Sequence, residues 1–454
     1  MLIRFYIDNI LSFGKGREFD MLPSPRYTRL AHHKYKINDF NVLKLSSIYG
    51  ANGSGKSNLI QGLARLREIV INGEIPSNLN SEKFKLSKNN EGKSQILATE
   101  FFKNNKAFYY GIEIENDIVR TEELYESGLG KSEDVLLFER KTDEDGKVKT
   151  KFFSEFENDN ESKTLKSVIE KTLSKPGKPL FKLISELDND FLKKIKIPFD
   201  WFAKDLIILM PSSKPVALAE NIDINNTFKE FVNDTMCTFD TGIKKIQTET
   251  RTLKEFFGED KANIDKLTKI LNENPSQRVV LQSNKGEEVV AVNENDKLLI
   301  KRLVLMHLND NNKFVEFYLN EESDGTNRLL DYLPAFQDII NENKVYIIDE
   351  VERSIHPLLI KELIDKYSKD ENTKGQLIFS THESNLLDQD ILRQDEIWFM
   401  EKDPNGCSDM YPLSEFKEHH TKSIKKGYLN GRYGAIPFIG NLKDLNWNKY
   451  GTTR

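Results

Sequence analysis

The sequence predicts an α/β protein in which a mixed sheet carries an antiparallel β-subdomain and a helical insertion. Three observations predict it. An apolar run over 42–49 leads into Gly50-Ala51-Asn52-Gly53-Ser54-Gly55-Lys56-Ser57 and then into Leu59, Ile60, Leu63 and Leu66 at helical spacing, which is the order strand, glycine-rich loop, helix. Short apolar stretches at 96–102, 107–114 and 118–125 alternate with polar turns, the pattern of an antiparallel meander. Between 131 and about 275 the apolar residues instead recur at helical spacing.

Composition narrows the class. A chain of 454 residues has length for two or three domains and a large core. Its two cysteines, Cys237 and Cys407, lie far apart without Cys or His at metal spacing, so neither a disulfide framework nor a zinc site is indicated and a reducing compartment is expected. The apolar runs are too short to span a bilayer and the chain does not open on a signal-like segment, which reads as cytoplasmic with no membrane partner. A net charge of −6 argues against a surface coated with base for nucleic acid.

Taken in order, residues 2–13 alternate apolar and polar before Gly14 and Gly16 and predict an edge strand with a hairpin. Residues 21–41 carry prolines and His32-His33; adjacent imidazoles point apart, so a solvated loop is expected rather than a metal site. In the insertion, Leu165, Val168, Ile169 and Leu173 stop at Pro176-Gly177, Phe228, Phe231, Val232 and Met236 repeat the spacing, and Ile264, Leu267 and Leu271 precede Asn274-Pro275. These stripes are expected to be core. No heptad run is sustained, so no long coiled coil is expected. Strands return at 279–282, 289–292, 314–319, 376–381 and 396–400.

The chemistry lies at the loop and at three later segments. Gly50, Gly53 and Gly55 let the backbone, with Asn52 and Ser54, wrap a triphosphate so that N–H groups at the helix start, through Asn58, face the anion. Lys56 reaches the β- and γ-phosphates and the Ser57 hydroxyl ligates Mg2+. The apolar strand 345–348 ends in Asp349-Glu350: Asp349 suits the magnesium shell and Glu350 suits a base acting on water. His382 ends the next strand, where it can hydrogen-bond a γ-phosphate. Ser323, Gly325 and Thr326 open a helix and suit the γ-phosphate of ATP held by a second subunit.

The set GANGSGKS, ESDGTNRLL, YIIDEVERSIHP, FSTHESNLL and GRYGAIP, in that order, resembles the ABC-type AAA ATPases of bacterial abortive-infection and phage-defence systems, relatives of OLD and SMC-like ATPases. The resemblance covers 1–125 and 279–440. It implies an ABC-type P-loop ATPase head, with an N-terminal lobe over 1–130, a mainly helical insertion over 131–278 and a C-terminal lobe over 279–454. It also implies roles: Gly50, Lys56 and Ser57 as Walker A, Ser323, Gly325 and Thr326 as signature, Asp349 and Glu350 as Walker B, and His382 as switch histidine. Ser354-Ile355-His356 takes the place of the D-loop, with His356 where many ABC proteins carry aspartate. A Q-loop glutamine is not evident; Gln95 is early, and 122–126 offers carboxylates.

The function this implies is an ATP-hydrolysing regulatory subunit with composite sites in a homodimer or higher homo-oligomer, controlling a separate nuclease or toxin effector in response to a phage-derived trigger. The alternative is an SMC-like DNA-binding ATPase of repair. The missing coiled coil and the negative charge favour the first. Only 54 residues follow Met400, too few for an effector module there. Lys417, Lys422, Lys425, Lys426 and Arg432 read either as a solvated face or as a docking surface.

Overall fold

The computed structural model describes residues 1–37, 39–282, 288–416, 418 and 422–436. Lys417, named above, lies outside the described residues, as does Pro437 of GRYGAIP. The chain opens with the hairpin β1 (Leu2–Asp8) and β2 (Arg17–Asp20). A small hairpin, β3 (Lys34–Ile37) and β4 (Phe40–Leu43), leads into β5 (Leu45–Gly50) and the helix Lys56–Asn72. The meander follows as β6 (Gln95–Lys103), β7 (Lys106–Glu115) and β8 (Ile118–Glu126), and it continues through β9 (Val135–Thr142) and β10 (Val148–Phe152). These strands form a seven-stranded sheet in the order β10-β9-β8-β7-β6-β1-β2. The edge position therefore belongs to β2 and not to the opening strand: β1 pairs with β2 on one side and β6 on the other.

The span 131–278 holds more strand than its helical spacing suggests. Besides β9 and β10 it contains β11 (Leu206–Leu209) and β12 (Lys245–Thr252). Two of its apolar stripes face the core, with Phe228, Val232 and Met236 buried on the helix Asn226–Thr238 and Leu267 and Leu271 on the helix Lys261–Glu273; the third does so only in part, since Ile169 is buried but Val168 is exposed. After β13 (Val279–Gln282) and β14 (Glu288–Glu294) comes β15 (Lys297–Leu308), a long strand that Lys301 and Arg302 disguise in the sequence. Lys301 is buried between the carboxylates of Asp223 and Glu294, so a charge inside a strand is paired and not exposed. β16 (Phe314–Phe317) pairs with the end of β15.

The central sheet has the order β11-β17-β18-β5-β19-β20, with β17 (Val345–Ile348), β18 (Gln376–Thr381), β19 (Ile397–Lys402) and β20 (Ser408–Pro412). The first five run parallel and β20 turns back against β19. β5, β17 and β18 are buried along their whole length, as the central strands of a parallel sheet are. Gln376 locks the two large sheets together, accepting from Leu2 N–H at 2.5 Å and donating to the carbonyls of Leu2 and Leu43 at 3.1 and 2.8 Å. His33, expected in a solvated loop, is fully buried, with Nδ1 at 2.9 Å from a carboxylate oxygen of Glu396; burial pushes its pKa down and that of Glu396 well up, disfavouring the charged form of each. Among the described residues no helix is long and apolar enough to cross a membrane.

Aromatic packing ties the insertion to the N-terminal lobe. Trp201 stacks on Phe101 with ring centroids 4.2 Å apart, and Phe202 meets Tyr110 edge-on. Trp201→Ala should lower unfolding stability by about 3–5 kcal/mol, the cost of a large core cavity, as measured by urea denaturation; a loss under 1 kcal/mol would show that this contact does not join the two parts.

Candidate nucleotide site

The parallel order β17-β18-β5 sets three loops side by side at one end of the sheet, the place where open α/β sheets bind ligands. β5 delivers the glycine loop. Gly53 and Gly55 have φ of 79° and 114°, values that L side chains rarely adopt. A Cβ on Gly50 would lie 2.5 Å from the Met400 carbonyl oxygen, and one on Gly55 would collide with the Ser408 hydroxyl, so the loop is pressed against β19 and β20. Ser408 also donates to the Ser54 carbonyl at 2.7 Å, and Asn58 Nδ2 donates to the Ser12 hydroxyl at 2.8 Å. Ser12 and Ser408, themselves 2.7 Å apart, thus hold the loop from behind; being 396 positions apart in sequence, they gave no local signal.

Lys56 lies buried at the first turn of the helix, its Nζ donating to the carbonyls of Gly50 at 2.8 Å and Ala51 at 3.3 Å and lying 3.5 Å from His382 Nδ1. Burial pulls its pKa down to about 8 against the pull of Asp349, Glu352 and Glu350. The Ser54 hydroxyl is buried without a hydrogen-bond partner. The first N–H groups of this helix have no intrahelical acceptor.

β17 delivers the acidic pair. Asp349 is buried, its N–H donates to Leu209 O at 2.9 Å, and it accepts from the Ser380 hydroxyl at 2.5 Å. The same hydroxyl accepts from Glu350 N–H at 2.8 Å. Glu350 has φ of 52°, a left-handed conformation for a residue with a side chain, held because the neighbouring strand fixes its N–H. Its carboxylate is partly exposed, 3.9 Å from Arg353. His382 follows β18, and its N–H donates to Glu352 at 2.6 Å, whose other carboxylate oxygen is buried without a hydrogen-bond partner. Partial burial, then the charge of Lys56, push the His382 pKa down. Ser380 and Glu352 were not singled out from sequence, although both sit inside the quoted motifs.

Ser323 is the N-cap of the helix Asp324–Asn341, accepting from Thr326 N–H at 3.1 Å. The cap fixes the first turn, so Asp324, Gly325 and Thr326 are already helical. Ser323 is exposed, and Gly325 packs so closely on the carbonyl of Ser354 that a Cβ there would lie 2.6 Å from it. His356 caps the helix Pro357–Lys369 through Leu358 N–H. Gln95 and Glu122 have structural duties instead: Gln95 donates to Leu79 O, and Glu122 is buried, accepting from the N–H groups of Leu180 and Phe181. Of the basic cluster, Lys422 and Arg432 pair with Glu418, and Lys425 donates to Asn385.

The donor set fits a magnesium nucleotide. It combines a glycine cradle without room for side chains, a helix N-terminus, an unpartnered buried hydroxyl, a lysine and, opposite, a buried carboxylate whose Ser380 bond leaves its other oxygen for a cation.

Comparison with known sequences and structures bears on this geometry. Residues 45–388 match a protein family described as "AAA domain, putative AbiEii toxin, Type IV TA system". No curated protein sequence matches the chain. Among solved structures, the SMC head domain from Thermotoga maritima is 13% identical, with 90% of this chain and 98% of that one covered at a TM-score of 0.37. An SmcHead bound to the C-winged helix domain of ScpA is 10% identical, with 94% and 99% covered at 0.41. An Smc head domain with an extended coiled coil, bound to the C-terminal domain of ScpA derived from Pyrococcus furiosus, is 12% identical, with 92% and 99% covered at 0.39.

Two outcomes are expected of the site. Ser380→Ala should leave nucleotide affinity within about threefold while cutting ATP turnover at least about tenfold, since one hydroxyl positions both Asp349 and Glu350; normal turnover would dismiss that bridge. Nucleotide affinity should also weaken about tenfold between pH 7 and pH 9 as Lys56, with its pKa near 8, loses its proton, measured by titration calorimetry at constant ionic strength; a flat profile would show that Lys56 stays charged throughout.

Proposed function

Since the chain belongs to this AAA-domain family and is a P-loop ATPase of the ABC- and SMC-like class, we propose that it binds ATP with Mg2+, hydrolyses it in a site completed by a second copy of itself, and uses that cycle to control a separate effector in anti-phage defence. The observation that carries the first part is the convergence of Lys56, Asp349, Glu350 and His382 at neighbouring strand ends. The loop N–H groups and Lys56 hold the β- and γ-phosphates. Glu350, half in solvent, orients a water and takes its proton as the oxygen attacks the γ-phosphorus and the bond to the ADP oxygen breaks. The His382 ring, with Nδ1 3.5 Å from Lys56 Nζ, donates an N–H to a γ-phosphate oxygen. Held by Ser57 and Asp349, magnesium would offset the negative charge that develops. Ser323, exposed, and Gly325 and Thr326, half-buried, at a helix N-terminus are taken to meet a γ-phosphate from a facing copy.

The family description names a putative AbiEii toxin and a type IV toxin–antitoxin system; the reading of a separate effector rests on the motif inventory of this chain, which is that of nucleotide hydrolysis. In this reading the chain governs toxicity and does not cause it.

Lys56→Ala should lose nucleotide binding, whereas Glu350→Gln should bind ATP, turn it over slowly and accumulate a larger assembly, followed by light scattering with phosphate release. Equal turnover by Glu350→Gln and wild type would remove Glu350 as the base. Mixing Lys56→Ala with Ser323→Arg protein should restore partial ATPase activity through one intact shared site, and failure of any mixture to recover would refute a trans arrangement that fires one site at a time. Expression of the chain alone with its trigger should neither arrest growth nor cleave nucleic acid.

A further inference from the structure

Three carboxylates act on Lys56: Asp349, Glu352 and Glu350. Two of them have a counter-charge or a role that supplies one. Glu350 stands 3.9 Å from the Arg353 guanidinium, and Asp349, on the reading above, serves the magnesium ion. Glu352 has neither. It joins no ion pair among the described residues, and its Oε2 is buried without a hydrogen-bond partner. Its other oxygen accepts from the His382 N–H at 2.6 Å, so the side chain crosses from the loop after β17 to the loop after β18. The ring of the same histidine meets Lys56, with Nδ1 3.5 Å from Nζ.

The groups around Glu352 register its charge. Burial lowers the Lys56 pKa, and among the carboxylates that oppose this Glu352 comes after Asp349 and before Glu350. Burial and then Lys56 lower the pKa of His382, where Glu352 is the foremost carboxylate pulling the other way. Burial raises the pKa of the fully buried Tyr49 phenol, and Glu352 is the first charge that adds to it. A charge set among such groups acts across several ångströms at an effective dielectric well below that of water. An anchor for one N–H needs no charge. The amide oxygen of a glutamine accepts the same bond, and a buried carboxylate oxygen without a donor carries a desolvation cost that an anchor need not incur. The charge therefore matters where Lys56 works: the ammonium that offsets part of it is the one a γ-phosphate would draw on, so the two anions compete for one cation.

We propose that Glu352 is a specificity-determining residue that holds down the affinity of the site for a γ-phosphate and so narrows its preference for ATP over ADP. The γ-phosphate, and the phosphate ion it becomes, are then held against a standing repulsion and leave readily. ADP carries no group at that position and is little affected. The inference rests on the reading of this site as a Mg2+–ATP hydrolase. Its role differs from that of Glu350, which is assigned to the attacking water; Glu352 needs no contact with water or phosphate and acts through the field at Lys56 and His382.

The test titrates the full chain with ADP and with the β,γ-imido analogue of ATP, each with Mg2+, by calorimetry, in wild-type, Glu352→Gln and Glu352→Met protein. Glu352→Gln keeps an acceptor for the His382 N–H and loses the charge; Glu352→Met loses both at similar length. Glu352→Gln should tighten the analogue about tenfold, the size expected of one unit charge a few ångströms away at intermediate dielectric, and leave ADP within about threefold. In Glu352→Met the ratio of the two affinities should shift toward the analogue in the same direction, even where a loosened loop weakens both. A mere anchor predicts no change or the opposite sign. Unchanged or weaker analogue binding by Glu352→Gln would therefore overturn the proposal, as would equal tightening of ADP. A wild-type chain that binds neither nucleotide would remove the ATPase reading and this inference together, whereas nucleotide binding with an unresponsive ratio would remove only the role of Glu352.

Discussion

Everything in the nucleotide site depends on the parallel pairing of β18 with β5 on one side and β17 on the other. Strand pairing at about 4.8 Å fixes the spacing of the loops that leave the sheet. It brings Lys56 to within 3.5 Å of His382, 326 positions later in the chain, and sets the Ser380 hydroxyl between Asp349 and Glu350. A lysine and a carboxylate are costly to bury separately. Placed at neighbouring strand ends they offset one another in part, which is why burial lowers the Lys56 pKa only to about 8.

The loop itself is held from outside the parallel sheet. Ser12 follows β1 and Ser408 begins β20, and they meet behind Gly55. The same seam carries Arg17 paired with Asp409 at 2.6 Å and Gly14 N–H on the Cys407 sulfur at 3.1 Å. The antiparallel sheet and the C-terminal hairpin therefore grip the phosphate loop together. A displacement of the antiparallel sheet would act on the loop through these bonds, because Gly55 has no slack toward Ser408.

How much of this was legible in the sequence follows from how local each signal is. The strand–loop–helix around Lys56 and the meander at 96–125 need only neighbours in the chain, and β6, β7 and β8 fall within a residue or two of the apolar stretches that announce them. The strand ends bearing Asp349 and His382 were readable for the same reason. β15 was not, since Lys301 and Arg302 break its alternation until Asp223, Glu294 and Glu249 pair them. Nor was the place of Leu206–Leu209, too short to announce itself, beside the strand that ends in Asp349-Glu350. His33 looked solvated because Glu396, its partner, lies 363 positions away. Ser12, Ser408 and Glu352 act through contacts that only the fold creates.

The charges of the site imply an order of events. Around Lys56 stand Asp349, Glu350 and Glu352, the last with one buried oxygen lacking a donor. A triphosphate entering this space adds several negative charges beside three carboxylates, and one lysine with a lowered pKa cannot balance them in a low-dielectric setting. The helix N-terminus contributes only about half a charge. On the proposed reading the nucleotide would arrive together with a divalent cation, which Asp349, with one oxygen on the Ser380 hydroxyl, would help to hold. Glu350, held in its left-handed backbone conformation and partly in water, is placed where a proposed base could reach a water. The proposed division of labour between two adjacent carboxylates thus rests on burial: Asp349 is buried and bonded to Ser380, and Glu350 is partly exposed.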